Sequence, residues 1–232
     1  MTEDPTLAEL VSAHPGAARV LERHYLDYCC GGADRLGDAC VARGVDPAVV
    51  LDELTALGPE AAPDWAAMGP AELVDHLEST HHVYLKAELP RLSALVDKVA
   101  GVHGDRHPEL RDIQRTFEEL RADLEPHLMK EEQVLFPMVR ELAVATAAPT
   151  FHCGTLQNPI RVMLMEHDRA GELLARQREL ASDYAVPDDG CASYEALFAG
   201  LAELEVDTHQ HVHKENNLLF PAVLEREHLL AN

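Results

Sequence analysis

The stretches HLMKEEQVLFP (127–137) and HVHKENNLLFP (211–221) decide the fold of this chain, because the same frame occurs in both. Each begins with histidine, carries glutamate four positions later and ends in Leu-Phe-Pro. Residues i and i+4 of an α-helix lie on one face, close enough for both side chains to reach one ion. The frame therefore predicts two helices, each of which presents a His/Glu pair.

Comparison of the two copies indicates which glutamate belongs to the pair. The first copy offers Glu131 and Glu132, whereas the second offers Glu215 and then Asn216. On a regular helix Glu132 would point about 140° away from His127. Glu131 and Glu215 are therefore the candidate carboxylates.

The repeat extends towards the N-terminus. A histidine-bearing segment precedes each copy of the frame: THHVYLKAEL (80–89) and MEHDRAGELL (165–174). His82 lies 85 residues before His167, and His127 lies 84 residues before His211. Two helical hairpins in matching register predict a pseudo-twofold four-helix bundle whose middle receives the duplicated side chains.

The expected centre would contain four histidines and two glutamates. The candidate metal ligands are His82, His127, Glu131, His167, His211 and Glu215. Each of two metal ions could take two histidines, with both carboxylates bridging. Imidazole and carboxylate without thiolate favour iron, leave manganese or zinc as alternatives, and argue against copper(I) or a bound Fe–S cluster. One His-x-x-x-Glu pair alone is commonly solvated, so the prediction depends on the duplication.

His81 is the alternative to its neighbour His82, because the apolar stripe of that helix points nearer to His81. Only one of the two is expected to face the interior of a regular helix bundle, and the register of the repeat favours His82. The other histidines considered have no partner in the repeat. Surface positions or positions around the centre are expected for His76, His103, His152, His209 and His213.

Helical periodicity without alternating β-branched runs predicts an all-α fold. Short helices are expected near 6–13, 16–27, 33–43 and 47–57, and long ones near 70–101, 108–143, 158–183 and 191–228. The proline- and glycine-rich stretch LGPEAAPDWAAMGP separates the two groups. The predicted organisation is a small helical domain at 1–60, a linker at 61–69 and an up-down bundle at 70–232. The link at 144–158 is longer than bundles usually need.

Composition excludes several classes of function. Forty-one acidic residues against nineteen basic ones give a net charge of -22, which disfavours nucleic acid and anionic membrane surfaces as partners. No apolar run approaches the roughly 20 residues that span a bilayer, and the first residues do not resemble a signal peptide. A cytoplasmic protein is expected. Its five cysteines are expected to be reduced thiols.

The adjacent pair Cys29-Cys30 is distinct from the other cysteines. Neighbouring cysteines form a mutual disulfide only with strain, whereas exposed thiols beside a glycine pair can reach a metal or an exchange partner. A buried structural thiol is the alternative, and it is the expectation for Cys40 and Cys191.

Together these motifs resemble the di-iron proteins that repair iron-sulfur centres, in which a short cysteine-bearing domain precedes a hemerythrin-like bundle. The resemblance covers nearly the whole chain and rests on DYCCGG (27–32), on His82 eight residues before Pro90, on EHDRAGELL and on the two repeat frames. It implies that the six candidate ligands hold two non-haem iron ions with carboxylate and oxo bridges. It also places His103 where the family carries another histidine near the site.

The resemblance implies repair of iron-sulfur clusters damaged by nitric oxide or peroxide, by iron donation through Cys29 and Cys30. The expected partners are damaged iron-sulfur proteins and the diatomics NO and O2. The alternative is a nitric oxide reductase or a sensor that binds O2 or NO at the same centre. Only iron transfer to a thiolate-ligated cluster has an evident need for the cysteine pair.

Overall fold

The computed structural model describes residues 4–58 and 65–231, whose regular structure is helical apart from two isolated β-bridges. The α-helices are α1 (Leu7–Ala13), α2 (Ala17–Arg23), α3 (Leu36–Arg43), α4 (Pro47–Thr55), α5 (Pro70–Leu77), α6 (Val83–His103), α7 (Glu109–Lys130), α8 (Phe136–Val144), α9 (Gln157–Leu180), α10 (Ala192–Lys214) and α11 (Phe220–Ala231). Three π-helical turns are π1 (Glu78–His82), π2 (Glu131–Leu135) and π3 (Glu215–Leu219). The all-α prediction is confirmed.

Local sequence signals account for the ends of the short helices. Thr6 and Glu9 form a capping box at the start of α1. Asp46 accepts a hydrogen bond at the start of α4, where Pro47 occupies the first helical position. Gly44 ends α3 with a φ of 70°, a conformation that glycine adopts without steric cost.

Helix α2 ends earlier than the sequence predicts. A helix was expected over 16–27, but α2 ends at Arg23, and Tyr25 has a φ of 55°. A bulky residue in this left-handed region takes the chain out of the helix. The cysteine pair consequently lies on a loop between α2 and α3.

Four long helical segments form the bundle, and they span 70–103, 109–144, 157–180 and 192–231. Helix α7 packs against α6 and α9, and α10 closes the ring against the same two helices. The third segment stops just before Ser182, Asp183 and Tyr184, three consecutive residues with positive φ. None of the helices in the described ranges is both long and apolar enough to traverse a membrane.

Three apolar clusters form the interior of the part of the chain that the structure describes. One fills the bundle between α6, α7, α9 and α10, and a second lies at the other end around α5, α8 and the start of α9. The repeat frames pass from the first cluster to the second, because Leu128 belongs to one and Leu135 to the other. The third cluster joins α1–α4 to Trp65 and to Val212 of α10. The N-terminal helices therefore pack directly on the bundle.

Residues of both the link after α8 and the predicted 61–69 linker pack against the rest of the protein. In the long link after α8, Phe151 and Leu156 are buried in the end cluster, and Glu227 accepts hydrogen bonds from Thr155 and Leu156. The first part of the predicted 61–69 linker lies outside the described residues. Its end is ordered, since Trp65 begins a 3-10 turn and is 5% exposed.

Candidate metal centre

The six predicted ligands all lie in the bundle interior where the two repeat frames meet. Each is at most 3% exposed: His82, His127, Glu131, His167, His211 and Glu215. Imidazoles and carboxylates are ordinarily buried only when they are paired or bind a cation. The duplication therefore brings together, in one buried place, the side chains that it singled out.

Two groups of side chains share Glu131. In the first, the Nε2 atom of His127 lies 3.1 Å from Glu131 Oε1, and the Nε2 atoms of His127 and His167 are 3.2 Å apart. In the second, the Nε2 atoms of His82 and His211 lie 3.5 and 3.9 Å from Glu131 Oε2. All ligand atoms within each group are within 4.8 Å of one another.

Glu215 is the second carboxylate between these groups. Its Oε2 atom lies 3.1 Å from His167 Nε2 and 3.5 Å from His211 Nε2. Glu131 likewise contacts one histidine of each group, because its oxygens lie 3.1 Å from His127 Nε2 and 3.5 Å from His82 Nε2. Each carboxylate is thus placed between two imidazoles that belong to different groups, which is the arrangement that a bridging ligand requires.

The π-turns that begin at the two glutamates were not predicted. Phe136 N donates to Glu131 O and Phe220 N to Glu215 O, five residues back. A proline follows each phenylalanine, and its ring would clash with the carbonyl four residues earlier in a regular helix. The wider turn accommodates this proline. Such turns are frequent at functional sites, and the Phe-Pro ending was the sequence signal for them.

Each repeat supplies one outer partner directly after its glutamate. Glu132 Oε1 accepts from His82 Nδ1 at 2.8 Å, and Asn216 Oδ1 accepts from His167 Nδ1 at 2.7 Å. These bonds leave Nε2 of each ring directed at the carboxylates. Glu132 was not expected to be a ligand because a regular helix points it away from His127, and the structure shows that it faces His82 Nδ1 instead. The polar residue in the same place of both copies was the missed signal.

The phenylalanine of each frame packs on the same two histidines. The ring of Phe136 lies 5.4 Å from that of His82, and the ring of Phe220 stacks on that of His167 at 5.9 Å. The apolar rings shield one side of each imidazole from water.

The residue that precedes each hairpin histidine contacts the histidine of the frame. Glu166 Oε2 accepts from His127 Nδ1 at 2.9 Å and also binds Lys130. In the equivalent place, His81 stacks on His211 with centroids 5.5 Å apart. Glu166 was not predicted either.

The expectation that only one of His81 and His82 faces inward is wrong, since they are 4% and 1% exposed. They lie at the end of turn π1, where regular helical spacing does not hold. His82 points to Glu131. His81 Nδ1 instead donates to Asp207 Oδ1 at 2.8 Å, and His81 Nε2 lies 2.7 Å from Lys214 Nζ.

The expectation that His103 lies near the site is also wrong. It lies at the far end of α6, 21 residues beyond His82, which corresponds to about 30 Å along a helix. There its Nε2 atom contacts Cys191 Sγ at 3.2 Å. Cys191 is exposed rather than buried, whereas Cys40 is buried as expected.

Four other histidines were expected either at the surface or around the centre. His152 is exposed, and His209 lies 3.6 Å from Glu22. His213 is fully buried against the N-terminal helices, where its ring contacts the Tyr28 carbonyl at 3.3 Å. His76 lies 3.1 Å from Lys214 Nζ.

The electrostatics of the centre favour positive charge. Burial lowers the pKa of His127, but Glu131 and Glu166 outweigh it and raise this pKa to about 10. Burial raises the pKa of Glu215, but His211 and His167 hold it well below its usual range. Hydrogen bonding from His127 lowers the pKa of Glu166 to about 2. Glu215 and Glu166 are therefore anionic, and such carboxylates stabilise protons or metal cations beside them.

Several polar atoms in the centre have no hydrogen-bond partner within the described protein. They are His82 Nε2, His211 Nε2 and both carboxylate oxygens of Glu131 and Glu215. A buried polar atom without a hydrogen-bond partner costs free energy. Each of these atoms therefore needs a structural or functional explanation. Imidazole nitrogens and carboxylate oxygens are ligands for iron, zinc and manganese, so the arrangement fits metal ions well.

The cysteine pair lies beside this centre rather than apart from it. Cys29 is buried and Cys30 is partly exposed. The Cys29 carbonyl accepts hydrogen bonds from Asn217 Nδ2 at 3.1 Å and from Asn216 Nδ2 at 3.3 Å. One amide side chain, that of Asn216, thus connects the cysteine loop to His167. A cleft of about 750 Å³ opens beside the loop, between the N-terminal helices and α9.

Comparison with known proteins gives consistent matches over the whole chain. Residues 73–223 match the family model of the hemerythrin HHE cation binding domain, and residues 3–58 match that of a domain of unknown function, DUF542. The chain is 37% identical over 222 residues to the "Probable iron-sulfur cluster repair protein" of Haemophilus influenzae, covering 94% of this chain and 96% of that protein. It is 33% identical over 225 residues to the "Iron-sulfur cluster repair protein YtfE" of Escherichia coli O81 (strain ED1a), covering 97% and 98% respectively.

Proposed function

Because the chain belongs to the family of iron-sulfur cluster repair proteins and carries a hemerythrin-type cation-binding domain, we propose that it repairs damaged iron-sulfur clusters by donating iron. The observation that carries the proposal is the contact between the cysteine loop and the metal centre, through Asn216. The clients would be proteins whose clusters nitric oxide or peroxide has damaged.

The proposed ligand set assigns two iron ions to the two groups of side chains. His127 and His167 would hold one ion and His82 and His211 the other, with Glu131 and Glu215 bridging them. The distances within each group and the unsatisfied Nε2 and carboxylate atoms support this assignment. When bound, the ions supply Lewis acidity and open positions for small diatomics such as NO or O2.

The protein's own residues divide into those that fix and those that can move. Hydrogen bonds from Nδ1 to Glu132, Asn216 and Glu166 fix the orientation of three imidazoles. A carboxylate can change from bridging to terminal binding without a backbone movement. We therefore assign retention of iron to the histidines and its release to Glu131 and Glu215.

Iron donation accounts for the cysteine loop better than gas binding does. A carrier or reductase of diatomics has no evident use for two thiols beside the centre, whereas delivery to a thiolate-ligated cluster has. All five cysteines are free thiols, which suits a reducing compartment, and a cytoplasmic location is part of the proposal.

The test combines iron analysis with reactivation of an enzyme whose cluster has been damaged, such as aconitase. Wild-type protein prepared without oxygen should contain close to two irons per chain and should restore activity. Cys29→Ser with Cys30→Ser should keep both irons but slow the repair. Repair at the wild-type rate by that variant would remove the loop from the mechanism and favour nitric oxide reduction or sensing instead. Zinc as the only metal would overturn the assignment of iron to this centre.

A further inference from the structure

A second cluster of metal-ligating side chains lies on the loop after α2. Asp27, Cys29 and Cys30 each offer one ligand atom, and these atoms lie within 4.8 Å of one another. None of them belongs to the bundle centre. Their types differ as well, because this cluster contains thiols and no imidazole.

The spacing of the two thiols is that of two ligands of one ion. Cys29 Sγ and Cys30 Sγ are 3.8 Å apart. Two sulfurs at 2.3 Å from a tetrahedral ion are separated by about 3.8 Å. A disulfide would require a separation of about 2.05 Å. The third ligand would come from the Asp27 carboxylate, whose Oδ1 atom lies 3.2 Å from Cys29 Sγ.

The loop is held in this shape by its own backbone. Asp27 Oδ1 accepts from the amides of Cys29 and Cys30 at 3.0 and 2.9 Å. A Cβ atom on Gly32 would lie 2.5 Å from Asn217 Oδ1 and 2.7 Å from the Tyr28 carbonyl. Glycine is therefore needed where the loop packs on turn π3. The thiols are thus already in position before a metal ion binds.

We propose that Asp27, Cys29 and Cys30 form a third metal site, which binds one divalent cation such as Fe²⁺ or Zn²⁺. Two metal–sulfur bonds and one metal–oxygen bond form, and the two thiol protons pass to solvent, with no change of oxidation state. Three protein ligands leave a fourth tetrahedral position open, as in catalytic rather than structural zinc sites. This position can take water or a thiolate from a partner.

The surroundings suit the passage of a cation. The cysteines and Asp27 line the cleft beside the loop, and its opposite wall on α9 carries Asp168 and Glu172. Carboxylates on a cleft wall raise the local concentration of cations. The transfer of iron from the bundle centre to a client by way of the loop site rests on the proposed function. Binding of an ion at the loop site does not.

The test is an anaerobic titration of the full-length, iron-loaded protein with Co²⁺. Cobalt bound by thiolate has a charge-transfer band in the near ultraviolet. The expected result is one Co²⁺ per chain that gives this band while the iron content stays constant. Absence of the band in the wild-type protein would overturn the proposal.

Variants identify the ligands. Cys30→Ser, and Cys29→Ser with Cys30→Ser, should abolish the band. Asp27→Asn keeps an oxygen that can accept from both loop amides but loses the charge, so it should weaken Co²⁺ binding by about tenfold or more. Cys153→Ser and Cys191→Ser are matched controls from other parts of the chain and should leave the titration unchanged. A band that survives in the double variant, or disappears in a control, contradicts the assignment.

The site and the proposed function can fail separately. Cobalt binding is read without any repair assay, and repair is read by enzyme reactivation. If Co²⁺ binds as expected but Cys30→Ser repairs at the wild-type rate, the site stands and donation through it is wrong. If Cys30→Ser slows repair but wild type shows no cobalt band, the thiols act in donation without holding a metal at this site.

Discussion

Glu132 and Asn216 occupy the same place in the two repeats, one residue after the inner glutamate, yet only one of them is charged. Glu132 holds His82 and forms an ion pair with the exposed Lys86. Asn216 holds His167 and donates its amide to the Cys29 carbonyl. A carboxylate suits a place beside solvent and a cation, whereas under the N-terminal helices an amide can both accept and donate.

Glu166 and His81 occupy equivalent places in the two repeats, and their lysine partners differ in exposure in the same way. Glu166 binds Lys130, whose side chain is 39% exposed. The equivalent pair is His81 with Lys214, and Lys214 is buried with its Nζ atom 4.0 Å above the Trp65 ring. We call the surface with Glu132 and Glu166 the open face. The covered face is the surface with Asn216, His81 and Lys214.

Each proposed ion would be held between these two faces. The first would bind His127, whose Nδ1 donates to the open face, and His167, whose Nδ1 donates to the covered face. The second would bind His82, whose Nδ1 donates to the open face, and His211, which stacks on His81. The two repeats therefore present the same inner residue types, whereas their outer contacts differ where the cysteine domain packs on the bundle.

The largest expected effect tests whether the inner ligands are equal. Glu131→Leu and Glu215→Leu should each remove at least one iron per chain and abolish repair, because each takes away a carboxylate between two imidazoles. Both variants should remain helical, since the apolar clusters on either side are unchanged and each buried leucine or phenylalanine contributes about 1.5–3 kcal/mol. Iron analysis and far-ultraviolet circular dichroism measure the two effects. If either variant retains two irons, Glu131 and Glu215 are not equivalent ligands.

The next effect tests what the cysteine domain contributes to the covered face. The division into 1–60 and 70–232 stays a prediction, and we expect residues 70–232 alone to fold and retain the metal ions. Amide exchange should become faster around 211–219, which loses the contacts at Val212 and Asn217, than around 127–135. Mass spectrometry of deuterium uptake measures this. An unfolded or metal-free fragment, or equal changes in both repeats, would contradict the proposed division.

The six inner side chains could be singled out from sequence because the two copies agree on them, and the structure brings them together in the interior; their role as ligands stays a proposal. His127 and Glu131 alone would have been an ordinary helical pair, and the second copy removed the ambiguity with Glu132. The resemblance of the chain to its family is confirmed by the matches to known proteins. Prediction of the repeated His/Glu pairs depends only on the spacing of residues along regular helices.

The outer partners could not be predicted, because they depend on deviations from regular spacing. Turn π1 buries both His81 and His82, and turn π2 brings Glu132 to His82. The place of Asn216 between His167 and Cys29 depends on how the N-terminal helices pack, which no local pattern encodes. His103 was misplaced because likeness of sequence position was taken for nearness in space.

A smaller effect compares the outer partners directly. Glu132→Leu and Asn216→Leu each remove the acceptor from a histidine Nδ1, and loss of such a partner lowers metal affinity by about 10–100-fold. Glu132→Leu should have the larger effect on affinity, because a carboxylate raises the basicity of an imidazole more than an amide does. Competition with a chelator measures iron affinity. A larger loss of affinity in Asn216→Leu would show that the link to the cysteine loop, rather than charge, controls retention.

The smallest effect compares the two lysines. Lys130→Met removes a partly exposed ion pair, and such pairs contribute less than about 1 kcal/mol to the free energy of unfolding. Lys214→Met removes the donor that contacts Nε2 of both His76 and His81, and a buried polar atom left without a partner costs about 1–3 kcal/mol. Burial lowers the pKa of Lys214 to about 8, so removal of a poorly solvated charge offsets part of that loss. Methionine keeps contact with Trp65, which leaves the hydrogen bonds as the main difference. Urea unfolding of both variants, each loaded with iron, should therefore show the greater loss of stability for Lys214→Met. Equal losses would mean that the covered face is as solvated as the open one, and the contrast between the two faces would be wrong.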